Sequence, residues 1–226
     1  MSTQRFYRYS GLAAMIGSVL GLINIPLLAL AYFATADGAE FATAPQVATW
    51  VTVAKPLLHP LLSFATPDAV YNVYGAIVLP VFLGLLAGLL ALHRRQAVHA
   101  GRLERIGFWV LFASLSLFIL GAIGAYYIGA FYGAALDFSF FAFLLPGLAT
   151  MLIGPTLFGI ATLRAAVAPR LGAWLLIVGG LPGVILTRQL VGHNSGGFLL
   201  LYFAWFVLGY WLWSSKESQH QHIVVA

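Results

Sequence analysis

Six long stretches of this chain contain no Asp, Glu, Lys, Arg or His, and this feature constrains the fold more than any other. A helix needs about 20 apolar residues to cross the hydrocarbon layer of a membrane, which is about 30 Å thick. Of the 226 residues, 62% are hydrophobic and 8% are charged, whereas a soluble domain has about 25% charged residues. A water-soluble enzyme or nucleic-acid binder is therefore excluded. The uncharged stretches are 11–33, 69–92, 107–136, 138–163, 171–187 and 194–213.

These stretches predict an all-α, polytopic integral membrane protein with one transmembrane domain over 1–213. Its core is a six-helix transmembrane bundle, and a polar cytoplasmic tail follows over 214–226. A further apolar segment, 46–64, lies in the first outer connection and contains Pro56 and Pro60, which would break a regular helix. We therefore expect segment 46–64 to be amphipathic and to lie at the outer interface or to re-enter the membrane. Asp137 is predicted at the turn between the third and fourth spans.

Charge placement predicts the orientation of the bundle. With the N-terminus inside, nine of the eleven Lys and Arg residues lie in cytoplasmic loops, while Lys55 and Arg188 lie on the other side. The positive-inside rule then places both termini in the cytoplasm of a cell membrane. The basic cluster His93, Arg94, Arg95 and His99 is expected to face anionic lipid headgroups. The first apolar run is 23 residues long, too long for a secretory signal of about 7 to 15 residues.

Small residues at four-residue spacing predict where helices approach closely, because small side chains drive helix packing in lipid. We expect contacts within one chain at these positions, with a homo-oligomer or a membrane-protein partner as the alternative. The positions are Gly17, Gly21, Gly84, Gly88, Gly121, Ala125, Gly129 and Gly133.

Prolines inside the predicted spans indicate kinks or a broken helix of the kind found at transporter binding sites. The Gly154-Pro155 pair is predicted to be the most flexible point. The other prolines of this set are Pro26, Pro80, Pro146 and Pro182.

Polar side chains gather near the predicted outer ends of the helices and form a candidate outer-face polar site. Two histidines and a carboxylate there are competent Zn²⁺ ligands, and a histidine beside Asp68 is competent in acid–base chemistry. The opposing interpretation is that polar residues belong at span ends and that Arg188 pairs with Asp137 or Asp68. The candidate residues are His59, Asp68, Tyr71, Asp137, Arg188 and His193.

The last span carries aromatic residues at four-residue spacing, at Phe198, Tyr202, Phe206 and Tyr210. They predict either an aromatic pocket for a flat ligand or ordinary packing beside an interfacial aromatic belt.

Three functions follow from these patterns. The first is a non-enzymatic structural, sensory or accessory membrane protein, because the spans contain no charge. The second is a carrier or channel for a small neutral or apolar solute, and the third is a membrane enzyme or metal site at the outer face. The sequence predicts no cofactor and no nucleic-acid partner, and it identifies no confident metal site.

Overall fold

The computed structural model describes residues 3–97 and 101–215, which form helices and short connections without a β-strand. Residues 216–226 of the predicted tail, and His99 of the basic cluster, lie outside the described residues. The helices are α1 (Thr3–Phe33), α2 (Pro45–Leu62), α3 (Pro67–Ala76), α4 (Val78–Gln96), α5 (Arg102–Ala122), α6 (Gly133–Ser139), α7 (Leu145–Ala165), α8 (Arg170–Gly179), α9 (Leu181–Val191) and α10 (Leu199–Ser214). Two π-helical segments, Ile123–Ile128 and Phe140–Leu144, extend α5 and join α6 to α7.

The long helices form a closed ring in which α1, α4, α5, α7, α8 and α10 each contact the next, and α10 contacts α1 again. We name the two ends of the ring by their charges. At the basic end, Arg94 lies over the Phe6 ring and Arg95 lies over the Trp211 ring. At the acidic end, which includes Asp37 and Asp137, the end of α9 meets the end of α1.

Five helical stretches are long and apolar enough to cross a membrane, and α8 with α9 makes a sixth if this bent pair counts as one span. The predicted all-helical architecture with about six such helices is confirmed at this level. The helices extend beyond several predicted stretches. For example, α1 begins at Thr3 and therefore includes Arg5 and Arg8, which the prediction placed before the span.

The second predicted span is divided at Ile77 into α3 and α4. Pro80 has no N–H to donate to the carbonyl of Ala76, four residues earlier. The Tyr127 hydroxyl donates to this carbonyl at 3.1 Å, and the Asn24 side-chain amide donates to the Tyr74 carbonyl at 3.0 Å. Neighbouring side chains therefore donate hydrogen bonds to the carbonyls at the kink. In apolar surroundings such carbonyls require a partner within the protein.

The predicted turn at Asp137 is wrong. The chain turns at 129–132, and Asp137 lies inside the short helix α6. The charge of Asp137 did not indicate the turn, because an exposed Asp is also compatible with a helix at the end of the bundle.

The two π-helical segments that flank this region bring Tyr126, Phe140 and Leu144 toward the interior. Such π-helical turns are frequent at functional sites.

The fifth predicted span is broken at Gly180, where α8 and α9 meet at an angle of 68°. The Thr156 hydroxyl of α7 donates to the Ile177 carbonyl at 3.1 Å and occupies the space that a Gly180 side chain would need. Pro182 then lies in the first turn of α9, where a missing N–H costs nothing. The sequence indicated Gly154-Pro155 as the flexible point, but both residues are buried within the continuous helix α7.

Helix α2 continues through Pro56 and Pro60, contrary to the predicted break. The carbonyls that these prolines leave without a helical partner belong to Thr52 and Pro56. Both residues are exposed, so solvent can replace the missing bonds. The opposite side of α2 packs through the buried Val47 against α1.

Glycines allow the close contact of α1 with α4. A side chain at Gly17 would meet the Val81 carbonyl, one at Gly84 would meet the Ala13 carbonyl, and one at Gly88 would meet Ala14. Gly121 faces Leu144 within the chain. Ala125, the next position of the predicted stripe, is also buried. The stripe does not continue beyond it, because Gly129 closes its own turn and a Cβ at Gly133 would have no described atom within 4 Å.

Candidate functional site

A cleft at the acidic end of the bundle contains two adjacent cavities. The outer cavity, which we call the vestibule, has a volume of about 320 Å³. The inner cavity, the chamber, has a volume of about 130 Å³. Six residues line both cavities, and we call them the collar: Tyr71, Tyr126, Phe140, Leu144, His193 and Asn194.

The chamber has mainly apolar and aromatic walls. Phe82 and Phe118 stack with ring centroids 4.8 Å apart, and Phe198 meets both rings edge-on. Beyond them, toward the basic end, the core is closed by side chains that are at most 2% exposed, including Leu85, Leu115 and Trp205. The chamber therefore ends within the bundle. Its other lining residues are Gly21, Asn24, Ile25, Leu28, Val78, Leu145, Leu148, Ser195 and Tyr202.

Two glycines hold aromatic side chains of the cleft in place. The Tyr202 ring lies against Gly21, and the Tyr126 ring lies against Gly75, so a methyl group at either glycine would overlap the ring. This close approach requires glycine at both positions. Gly21 was predicted as a helix-packing residue, and here it packs against an aromatic ring of the chamber.

His193 is positioned by the short connection between α9 and α10. The Ser195 backbone N–H donates to His193 Nδ1 at 3.1 Å, and Ser195 Oγ lies 2.9 Å from the same nitrogen. Ser195 Oγ also lies 3.3 Å from the Ile25 carbonyl. Because a backbone N–H can only donate, Nδ1 is an acceptor, and we infer that the neutral ring carries its proton on Nε2.

The electrostatics of the cleft change with depth. Asp37, Asp137 and Arg188 line the vestibule, and among the residues described no carboxylate lies within 4 Å of the Arg188 guanidinium. Burial, and then the positive charge of Arg188, lower the pKa of His193 to about 4. The imidazole is therefore neutral at pH 7, and the chamber behind it has no charged wall among its described residues.

The candidate outer-face polar site is brought together only in part. Tyr71, Asp137, Arg188 and His193 line the vestibule, but His59 and Asp68 are exposed and do not line it. His59 lies in the last turn of α2 and Asp68 in the first turn of α3, and neither residue lines either cavity. Within 3–97 and 101–215, no group of three or more His, Asp or Glu residues is arranged to hold a metal ion. The proposed set of His59, His193 and a carboxylate is therefore not assembled.

The four aromatic residues of the last span do not form one pocket. Phe198 and Tyr202 are buried and line the chamber, whereas Phe206 and Tyr210 are 40% and 55% exposed. Four residues advance a helix by slightly more than one turn, so a stripe at this spacing leaves the chamber after two positions.

The basic end contains a hydrogen-bonded His–Glu contact that sequence reasoning missed. Glu104 is 3% exposed, and its Oε1 lies 2.6 Å from His93 Nδ1. The His93 ring also stacks on Phe108. The sequence analysis expected His93 to face lipid headgroups with its basic neighbours. It did not predict the contact with Glu104, because the burial of Glu104 depends on how α4 meets α5.

Other residues of the cleft carried weaker sequence signals. Asn24 and Tyr126 belong to the neutral polar residues within the spans, a pattern that cannot separate packing from ligand contact. Ser195 follows His193 by two residues, and its Gly-rich context indicates only a turn. The convergence of these residues depends on the tertiary structure.

Comparisons with protein-family models, with curated proteins and with solved structures found no match to this chain.

Proposed function

We propose that this chain is a non-enzymatic, multi-pass membrane protein that binds a small, mostly apolar solute in the cleft. One observation carries the proposal: the vestibule and an apolar chamber share the collar as a common wall, and the chamber ends inside the bundle. Ligand sites are typically concave and apolar, with a few polar groups that orient the ligand. A sensory role fits a cleft that is closed toward the basic end.

The environment of the protein is part of the same proposal. We place the basic end in the cytoplasm, because most cations lie there, and we place its arginines against anionic lipid headgroups. Helix α2 then lies at the outer interface. Its exposed apolar side chains Val53, Leu57 and Leu61 follow one another at four-residue spacing, as in helices that bind a membrane surface.

Binding of fluorobenzene tests the proposed function. Purified protein in lipid nanodiscs is dialysed against the probe, and protein-free nanodiscs correct for partition into lipid. We expect saturable binding by the wild type and at least a tenfold loss in Leu148→Trp, because the indole fills the chamber. Ile153→Trp is the matched control, since Ile153 lies exposed on the same helix. Equal binding by all three proteins would overturn the proposal.

Carriage of the solute is a second candidate, favoured by the broken helix α8–α9. Helix α9 contributes Arg188 to the vestibule and packs against the segment Asn194–Phe198, which lines the chamber. A change at Gly180 would therefore reshape the cleft. Carriage also requires the bundle to open toward the basic end, where the core is closed. A single cysteine introduced at Leu111 should therefore react faster with a membrane-permeant maleimide when ligand is present. If the cysteine reacts with the maleimide at the same rate with and without ligand, this result would count against carriage.

A further inference from the structure

We propose that the ligand enters the chamber with a neutral, ring-sized head that bears a hydroxyl group, and that this hydroxyl donates a hydrogen bond to Asn24 Oδ1. This inference rests on the proposed function, because it specifies the ligand of the same cleft. Phenol is the simplest member of the class.

The first observation is a buried acceptor without a partner. Asn24 is 5% exposed, and its Nδ2 donates to the Tyr74 carbonyl at 3.0 Å. A carbonyl can only accept, so the orientation of the amide is fixed and Oδ1 is the remaining atom. Among the described residues, nothing donates to Asn24 Oδ1. A buried acceptor that lacks a donor is unfavourable, so a bound donor at this position gains affinity.

The second observation is the charge of the surroundings. An anionic head would bring an acceptor to Asn24 Oδ1, and a cationic head would find no described acidic side chain among the chamber walls. Burying an ion without a partner is far more costly than burying a hydroxyl that is hydrogen-bonded. The head of the ligand is therefore a neutral donor.

The third observation is the size and shape of the chamber. Its volume is about 130 Å³, close to the roughly 150 Å³ of an engineered apolar cavity that binds benzene. Phe82, Phe118 and Phe198 line the chamber and pack against one another in stacked and edge-to-face contacts. Aromatic pairs favour stacked and edge-to-face contacts. A single aromatic ring fits these walls, and the rest of the ligand extends through the collar into the vestibule.

A ligand series tests the inference in the full-length protein in nanodiscs. The probes are 4-fluorophenol, 4-fluoroanisole and fluorobenzene, measured by equilibrium dialysis with ¹⁹F NMR detection and corrected with protein-free nanodiscs. We expect 4-fluorophenol to bind about tenfold more tightly than 4-fluoroanisole, because methylation removes the donor; this ratio corresponds to about 1.4 kcal/mol. In Asn24→Leu the ratio should fall to about one. The control Asn72→Leu should keep the wild-type ratio.

The outcomes separate the two proposals. Equal corrected affinities of 4-fluorophenol and 4-fluoroanisole in the wild type would overturn the hydroxyl–Asn24 bond but leave cleft binding in place. The comparison of these two probes in the wild type also tests the hydroxyl–Asn24 bond if Asn24→Leu does not fold. If the ratio persists in a folded Asn24→Leu, another group accepts the hydroxyl and the inference is wrong. If none of the three probes binds, the inference and the proposed function both fail.

Discussion

At the scale of single residues, the cleft depends on side chains whose surroundings differ from those of the same residue type elsewhere in the chain. His193 and His59 lie at the same end of the bundle, yet one is enclosed by Tyr32, Tyr71 and Ser195 while the other is exposed. Local sequence does not distinguish the two imidazoles. Burial and the nearby Arg188 lower the pKa of His193 to about 4.

This difference predicts how stability depends on pH. Between the ordinary pKa of 6.5 and the folded value of about 4, the unfolded chain binds a proton at His193 and the folded chain does not. The folded state therefore loses stability as the pH falls through this window, and the contribution is complete above pH 6.5. We expect the thermal midpoint of the wild type to fall more between pH 7 and pH 4 than that of His193→Gln. Thermal unfolding in detergent at several pH values measures both slopes.

His59→Gln is the matched control, because it makes the same chemical change at an exposed histidine near the same end of the bundle. It should retain the wild-type pH slope. If His193→Gln and the wild type have the same slope, the enclosed and neutral state of His193 is contradicted.

At the scale of helices and their ends, the fold positions the cleft through local departures from straight helices. The π-helical segments place Tyr126 and Phe140 in the collar, the kink at Ile77 engages Asn24, and the break at Gly180 directs α9 toward the acidic end. Gly192 ends α9 with φ +78° and leads directly into His193. An L-residue adopts this left-handed conformation at a cost of about 1–2 kcal/mol.

Substitution of Gly192 tests the role of this helix end. A Cβ at Gly192 would lie 2.5 Å from Val47 Cγ2, in addition to the backbone strain. We expect Gly192→Ala to destabilise the protein by about 1–3 kcal/mol and to weaken fluorobenzene binding by displacing the collar. Unfolding in denaturant and equilibrium dialysis measure the two effects.

Gly133→Ala provides the comparison for the same chemical change. Gly133 begins α6 without a positive φ, and no described atom would contact its added methyl group. Its stability should stay the same or increase slightly, because Ala favours a helix. Equal losses in the two variants would show that the φ angle and the contact with Val47 do not determine the effect.

At the scale of the whole molecule, the ring of helices separates two ends of unequal charge. Arg94, Arg95 and Arg164 lie at one end, while Asp37 and Asp137 lie at the other. A large cationic excess on one side is typical of the cytoplasmic face of a membrane protein. Buried core residues close the chamber toward the basic end, and the vestibule lies at the acidic end, so the proposed orientation gives the ligand access from outside.

Cysteine labelling tests this orientation directly, because the chain contains no cysteine. We expect Ala36→Cys to react with a membrane-impermeant maleimide in intact cells, and Ala166→Cys to react only after the cells are made permeable. Both positions are exposed and lie at opposite ends of the bundle. Labelling with the reverse pattern would invert the orientation, and labelling of both in intact cells would contradict a bundle that spans the membrane.

The sequence alone determined the helical class and the approximate number of long apolar helices, five or six in the structure, because an uncharged stretch of about 20 residues matches the thickness of a bilayer. It also identified Tyr71, Asp137, Arg188 and His193 as polar residues near one end. It could not determine that Asp137 lies within a helix, that α2 continues through two prolines, or that Glu104 is buried beside His93. These features depend on whether a neighbouring helix or solvent can form hydrogen bonds with particular carbonyls and side chains.

The tertiary structure alone decided which residues form the cleft. Asn24, Phe82, Phe118 and Ser195 lie far apart in the sequence and meet only because the ring closes and α9 bends at Gly180. Sequence spacing fixes the face of one helix but not the rotation of its neighbours. The uncharged stretches that identify the spans therefore do not reveal that Asn24 Oδ1 is buried without a donor among the described residues. Its proposed role in binding depends on the chamber that Asn24 lines.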